Sequence, residues 1–394
     1  MSDEENVRCS VFGACGGCSH QDLSYQAQLQ LKQSQVAELL KELPCQVEPI
    51  IPCAQPWRYR NKMEFAFGMD EAGKIILGLR RRGSFDDIVD IDDCWIQTEA
   101  ANRIRKLSRN FFRQRNYPVY EHRSHGGVLR FLIVRQSYTQ NKLMANLVVA
   151  NAKALSGEDV RDWLQTLTSS VPELASVYIS EQAEWSDTAF TENLRMVWGV
   201  PDLAESMESG EKKLQFKISP LAFFQTNTIQ AQLLYQTIVD VSDLRGHETV
   251  LDLHCGTGTI GQLLAHRARW VYGIEVVAPA IADAKVNADV NGIRNVTYIV
   301  DKAETWLKWN GDEVDADVWV LDPPRSGLHP KILGKRMTEL EQKPDKIIYV
   351  SCNPKHLPVD LAKILPWYRI ERVVPVDMFP HTPHLEVVTS LRLI

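Results

Sequence analysis

The stretch "TVLDLHCGTGTIG", Thr249 to Gly261, decides the fold. An apolar run stops at His254, and Gly256, Gly258 and Gly261 follow in the spacing G-x-G-x-x-G as a helical pattern, "TIGQLLAHRA", begins. A strand that turns on glycines into a helix leaves room for a ligand to approach the backbone over the helix N-terminus. Further along, "WVYGIEV", "APAIADAKVNADV", "VTYIVD", "ADVWVLD", "PKILGKRMTELEQ" and "KIIYVSC" keep alternating strand and helix patterns. Such alternation predicts a parallel sheet covered by helices on both faces, so residues 216–394 are expected to form a Rossmann-like α/β domain.

The glycine loop carries further chemistry. Glu275 closes the next strand, where a carboxylate can accept hydrogen bonds from two ribose hydroxyls, a pattern that fits any adenosine-bearing cofactor. Asp252, beside the loop on the first strand, suits an ammonium-bearing ligand better than a pyrophosphate. In "VLDPPRSGL", Val320 to Leu328, two prolines stiffen the loop after Asp322, whose carboxylate can hydrogen-bond a planar amide or imide edge. The same fragment reads equally as an Asp-Pro turn capping the next helix. In "KIIYVSCNPKHLPVD", Lys346 to Asp360, Pro354 ends the strand and leaves Cys352 at its C-terminal end, the edge where open α/β sheets bind ligands. The position suits a nucleophile, or an inert packing thiol.

Toward the N-terminus the pattern changes. "LSYQAQLQLKQSQVAELLKEL", Leu23 to Leu43, reads as one helix that Pro44 ends. Strand-like "KMEFAFGM", "KIILGLRRR", "LRFLIVRQS" and "KLMANLVVA", with a helix "TEAANRIRKLSRNFFRQRN", suggest a central α+β domain over residues 50–215. Residues 1–49 form a separate Cys-rich segment with the first helix. Cys9, Cys15 and Cys18, with Cys94 as the candidate fourth donor, suit zinc or an iron-sulfur cluster, and spacing does not separate the two. Eight cysteines spread unevenly over 394 residues do not make a secreted disulfide framework. The acidic start "MSDEENVRCS" and the lack of an apolar run of about 18 residues argue against a signal peptide or a membrane span, and place the chain in the cytosol.

Residues 51–150 carry 17 Lys and Arg against 10 Asp and Glu, although the whole chain has a net charge of −6. A basic middle in an acidic chain suggests contact with a polyanion. The candidates are Arg58, Arg60 and Lys62 in "RYRNKMEF", Arg80, Arg81 and Arg82 in "GLRRRGS", and six cations of the helix between Arg103 and Arg115.

"DLHCGTGTIG", "DPPRSGL" and "SCNPKHL", in that order and each at a strand end, resemble the RNA 5-methyluridine methyltransferases that use S-adenosylmethionine. "FFQTN", Phe223 to Asn227, and "DMFPHTPHLEVV", Asp377 to Val388, also match that family. The resemblance implies that Cys352 adds to carbon 6 of uracil, that Glu386 removes the carbon 5 proton, and that Asp322 holds the uracil edge. It implies S-adenosylmethionine at Gln225, Glu275 and Asp322, with His254, Gly256, Gly258 and Thr259 in the loop and Asp301 on the adenine side. It also favours a [4Fe-4S] cluster over zinc on the four cysteines, pinning the N-terminal loop to the central domain. Many relatives begin with a small β-barrel RNA-binding domain, which is expected to be absent here. Among the shorter relatives the resemblance favours 23S ribosomal RNA as substrate over the transfer-RNA T loop. Two other readings predict different behaviour: a redox enzyme would need no Glu386, and a noncatalytic RNA-binding protein would bind equally well without Cys352.

Overall fold

The structure, a computed structural model, describes residues 9–209 and 212–394. Residues 1–8, which hold most of the acidic start used against a signal peptide, lie outside the described residues. The first helix, α1 (Tyr25–Leu40), begins where the Ser24 hydroxyl accepts from the Ala27 amide. A seven-stranded sheet follows, with β1 (Lys62–Met69), β2 (Ile75–Arg80), β3 (Ile88–Asp90), β4 (Leu129–Ser137), β5 (Lys142–Val149), β6 (Leu174–Glu181) and β7 (Leu194–Gly199) in the order β3-β2-β1-β4-β5-β6-β7. Helices α2 (Glu99–Gln114) and α3 (Gly157–Ser170) contribute Ile104, Phe112, Trp163 and Leu167 to its core. Only β5 and β6 pair in parallel, because α3 supplies the crossover between them.

A hairpin, β8 (Leu203–Ser209) and β9 (Lys212–Ile218), leads through α4 (Thr228–Ser242) into the second seven-stranded sheet. Its strands are β10 (Thr249–Leu253), β11 (Trp270–Glu275), β12 (Val296–Val300), β13 (Val318–Leu321), β14 (Lys346–Ser351), β15 (Tyr368–Val376) and β16 (Glu386–Leu393), in the order β12-β11-β10-β13-β14-β16-β15. Helices α5 (Thr259–Ala265), α6 (Ala278–Val290) and α7 (Ala303–Asn310) connect the early strands, and α9 (Leu357–Ala362) follows β14 after a short α8 (Met337–Glu339). The expected parallel sheet is parallel across five strands only: β16 runs antiparallel to both β14 and β15. The segment between β15 and β16 carries no crossover helix, so the chain returns as a hairpin and the sheet ends antiparallel. "PKILGKRMTELEQ" is largely a π-helical turn, Lys331–Arg336, in place of the expected α-helix, with Pro330 before it and Gly334 inside it.

The boundary expected between residues 49 and 50 is not a break in packing. Val36 and Leu40 of α1 are buried with Leu253, Ile274 and Val387 of the second sheet. The chain then runs along β15, with Val47 bridging Val373 and Ile51 bridging Val376. The N-terminal segment thus joins both sheets: its front loop bridges Arg81 through Cys15, while α1 and the chain after it lie on the C-terminal sheet. No helix among the described residues is long and apolar enough to cross a membrane.

Candidate active site

Strand order reverses at β10, which lies between β11 and β13, and a cavity of about 1420 Å³ opens over the C-terminal ends of these strands. That exceeds the roughly 300–1,000 Å³ of a typical small-ligand site. Gln225, His254, Gly256, Thr259, Glu275, Asp322, Cys352 and Glu386, read from separate motifs, all line it. His254, Gly256 and Gly258 take positive φ of 64°, 53° and 74°, which turns the chain sharply between strand and helix. A Cβ on Gly258 would lie 2.5 Å from the Tyr298 hydroxyl, so only glycine fits there. Glu275 braces the loop: Oε2 accepts from the Gly256 amide at 3.2 Å, and Oε1 from the Val276 and Val277 amides at 2.8 and 3.0 Å.

Asp301, Asp252 and Gly258 do not line the cavity. Asp301 is not part of the cavity wall; its amide bonds the Glu275 carbonyl and its Oδ1 accepts from the Lys302 amide. Asp252 is fully buried behind the loop and does not reach the cavity. Burial, then Asp322, holds its carboxyl well above the usual range.

Cys352 follows β14 and Asp322 follows β13, while Glu386 is the first residue of β16. The Asn353 side chain donates to the Arg325 carbonyl at 3.1 Å and so ties the two prolyl loops together. Burial, then Glu386 and Asp322, push the Cys352 thiol up to about 11, while Arg325 pulls it down. Burial and Glu275 push Asp322 up to about 7. Glu386, 3% exposed, is raised well above the usual carboxyl range by burial and Asp322, again opposed by Arg325. Two carboxyls and a thiol thus face one cavity, with a guanidinium that favours the anions of Cys352 and Glu386. Phe223 carries no role in the sequence reading, yet it is 66% exposed on the same wall; its place two residues before Gln225 is the signal that could have marked it.

The basic residues divide. Arg60, Lys62, Arg80, Arg81 and Arg82 line the cavity. Lys62 pairs with Glu64 at 2.6 Å, Arg81 approaches Asp87 at 3.7 Å, and Arg80 pairs with Asp187. Arg58 does not reach the cavity: its guanidinium forms a forked pair with Asp93 at 2.7 and 2.9 Å and donates to the Cys94 and Gln97 carbonyls. The arginines of α2 are also spent internally. Arg105 is fully buried and donates to the Leu77 and Asp92 carbonyls; Arg109 pairs with Asp90 at 2.7 Å, Arg103 with Glu173 at 3.2 Å and Arg115 with Asp162 at 2.6 Å. Arg113 donates to the Ile75 carbonyl at 2.8 Å. Arg105, Arg109 and Arg113 thus clamp α2 to the β2–β3 edge, while Arg103 and Arg115, each 44% exposed, pair with Glu173 and with Asp162 of α3.

Cys9, Cys15, Cys18 and Cys94 are free thiols that line one small cavity with Phe12, Leu79, Ile91 and Trp95. Burial comes first, and neighbouring thiols add to it, in pushing Cys18 to about 11 and Cys94 to about 12. Among the described residues no group of three or more His, Cys, Asp or Glu is arranged to hold a single metal ion. The loop is fixed to the arginine hairpin: the Gly16 amide donates to the Arg80 carbonyl at 2.9 Å and the Arg82 amide to the Ala14 carbonyl at 2.8 Å.

Residues 188–393 match the family model described as tRNA (Uracil-5-)-methyltransferase. An uncharacterized RNA methyltransferase of Caldanaerobacter subterraneus subsp. tengcongensis is 38% identical over 97% of this chain and 84% of its own length. A second uncharacterized RNA methyltransferase, from Halalkalibacterium halodurans, is 35% identical over 99% of this chain and 84% of its own. Among solved structures, the Pyrococcus abyssi tRNA (uracil-54, C5)-methyltransferase in complex with S-adenosyl-L-homocysteine superposes with a TM-score of 0.77, at 28% identity, over 96% of this chain and 86% of that one. With these matches, and with the thiol, the two carboxyls and the glycine loop on one cavity, the chain belongs to the RNA uracil-5-methyltransferase family.

Proposed function

We propose that the protein methylates carbon 5 of a specific uridine in RNA, using S-adenosylmethionine and a covalent bond from Cys352. The observation that carries this is the shared cavity: Cys352, Glu386 and Asp322 line the same space as the glycine loop and the Arg80–Arg82 hairpin. Its volume has room for a cofactor and for a nucleotide drawn out of its stack. S-Adenosylmethionine supplies an electrophilic methyl group. The Cys352 thiolate bonds to carbon 6 of uracil, which places negative charge on carbon 5; carbon 5 then takes the methyl group as that group's bond to sulfur breaks, leaving S-adenosylhomocysteine. Glu386 accepts the carbon 5 proton, the carbon 6–sulfur bond breaks, the ring double bond returns and Cys352 leaves as thiolate. Asp322 holds the uracil edge, Gln225, Glu275 and the 254–259 loop hold the cofactor, and Arg325 favours the anions of Cys352 and Glu386.

Arg60, Lys62 and Arg80–Arg82 meet the RNA backbone along the cavity's open side. The four front thiols fit a thiolate-bound group, and a [4Fe-4S] cluster is the reading we adopt. A four-iron cube takes one thiolate per iron at its corners, whereas zinc draws four sulfurs to one centre at about 2.3 Å. Held there, it would fix the loop that backs the arginine hairpin.

For the target we adopt 23S ribosomal RNA, on the cysteine pattern. The likeness to the Pyrococcus abyssi enzyme favours a second reading, the transfer-RNA T loop. The test is methyl transfer from labelled S-adenosylmethionine to unmodified transcripts of 23S ribosomal RNA and transfer RNA, followed by digestion to nucleosides. Labelled 5-methyluridine from one transcript set identifies the target. Label absent from both, or on another nucleoside, contradicts the reading.

A further inference from the structure

Glu386 follows directly on the loop 377–385, and one side of that loop, with Phe379, Thr382, Pro383 and His384, faces the cavity. The N-terminal segment grips the loop. The His381 amide donates to Gln28 Oε1 at 2.8 Å, and the Gln28 amide nitrogen lies 3.2 Å from His381 Nδ1 while donating to the His20 carbonyl at 2.8 Å. The His381 carbonyl accepts from the Ser19 and His20 amides at 2.8 and 3.1 Å, just past the last cysteine of the front loop. Trp57 stacks on the His381 ring at 3.6 Å, and the Tyr59 hydroxyl donates to the Pro380 carbonyl. Deeper in, Lys32 donates to Asp377 at 2.5 Å and to the Phe379 carbonyl at 3.0 Å, with Lys32 and Asp377 at most 1% exposed. His381 itself sits at φ 65°, a conformation a side chain rarely adopts unless its surroundings impose it.

This buried polar machinery gathers on the loop that ends at Glu386. α1 also packs against Pro354–His356, after Cys352, but among the described residues it hydrogen-bonds the 377–385 loop and not Ser351–His356. We propose that Gln28, together with Trp57 and the Lys32–Asp377 pair, positions Glu386 for removal of the carbon 5 proton, and that α1 thereby governs release of the methylated RNA without taking part in thiolate addition. The inference rests on the covalent reading above and assigns a step to residues outside the cavity.

The test compares wild type with Gln28→Met, Trp57→Leu and Trp57→Phe, each with its melting curve. One arm follows formation of the denaturation-resistant adduct on 5-fluorouridine transcripts. The other follows adduct carrying the labelled methyl group on ordinary uridine transcripts, and its decay to free RNA. The expected result for Gln28→Met and Trp57→Leu is adduct formation within about twofold of wild type and decay slowed about tenfold or more, because a misplaced base fails only at the step it performs. Trp57→Phe, which keeps a stacking ring, restores decay. Formation and decay falling together, or neither changing, overturns the proposal. A wild type that forms no adduct overturns the covalent reading and this inference with it.

Discussion

Two cysteines stand on the same cavity wall, each just beyond a parallel strand of one sheet, and their surroundings separate them. Cys255 follows β10 inside the glycine loop; Cys352 follows β14 in a prolyl loop. Burial, Asp252 and Glu275 push the Cys255 thiol well above its ordinary value, and no cation opposes them. Cys352 is less buried, and Arg325 works against Glu386 and Asp322. Position at a strand end is thus shared, and what separates the proposed nucleophile, Cys352, from Cys255 is access together with a positive charge that favours the thiolate.

The comparison yields predictions that fall in size from one to the next. Cys352→Ala should abolish methyl transfer, by at least about a thousandfold, while cofactor binding measured by calorimetry stays within about twofold. Glu386→Gln should slow turnover by about a hundredfold or more and leave methylated protein–RNA adduct on a denaturing gel. Arg325→Ala should slow alkylation of Cys352 by iodoacetamide at neutral pH by about tenfold, since losing the guanidinium raises a thiol already near 11. In wild type the same alkylation should climb about tenfold per pH unit between about pH 7 and 9, the sign expected for a thiol that ionises above that range. Cys255→Ser should change alkylation and turnover by no more than about twofold.

The carboxyl side of the site has its own pH signature. Asp322 has its pKa raised to about 7, so the cavity holds it protonated in mild acid. A positively charged cofactor favours the carboxylate, so cofactor affinity should rise with pH from about 5 to about 7 and then level off. Stability of the cofactor-free protein runs the other way. A carboxyl whose folded pKa is raised stabilises the fold below its unfolded value, and that contribution is lost as pH rises toward 7. Asp322→Asn should flatten both profiles.

The sheet around these residues was readable because β10 to β14 follow one another with helices between, so local periodicity carries the topology. Reversal at β16 was not, since "LEVVTSLRLI" has no local feature that states a direction. The pairing of the α2 arginines was hidden for a related reason. A count of charges omits geometry, yet Arg105, Arg109 and Arg113 recur every four residues and so form one stripe, facing Asp90 at the end of β3 and Asp92 just beyond it. The grip of Gln28 and Lys32 on the 377–385 loop joins residues about 350 positions apart, and nothing in "YQAQLQLKQSQ" announces it. The candidate site residues stood out because most sit in short motifs near strand ends; Asp301, Asp252, Gly258 and Arg58 do not line the cavity, since wall position depends on which way backbone and side chain point.

The most direct measurement is peptide mapping by mass spectrometry of the adduct trapped on 5-fluorouridine RNA in the presence of S-adenosylmethionine. Fluorine at carbon 5 cannot leave as a proton does, so thiolate addition should stall with the methylated nucleotide bound to the protein. The account predicts that this mass falls on the peptide containing Cys352 and is absent from Cys352→Ala. A nucleotide on the Cys255 peptide, or no adduct on transcripts that the protein methylates, would contradict it.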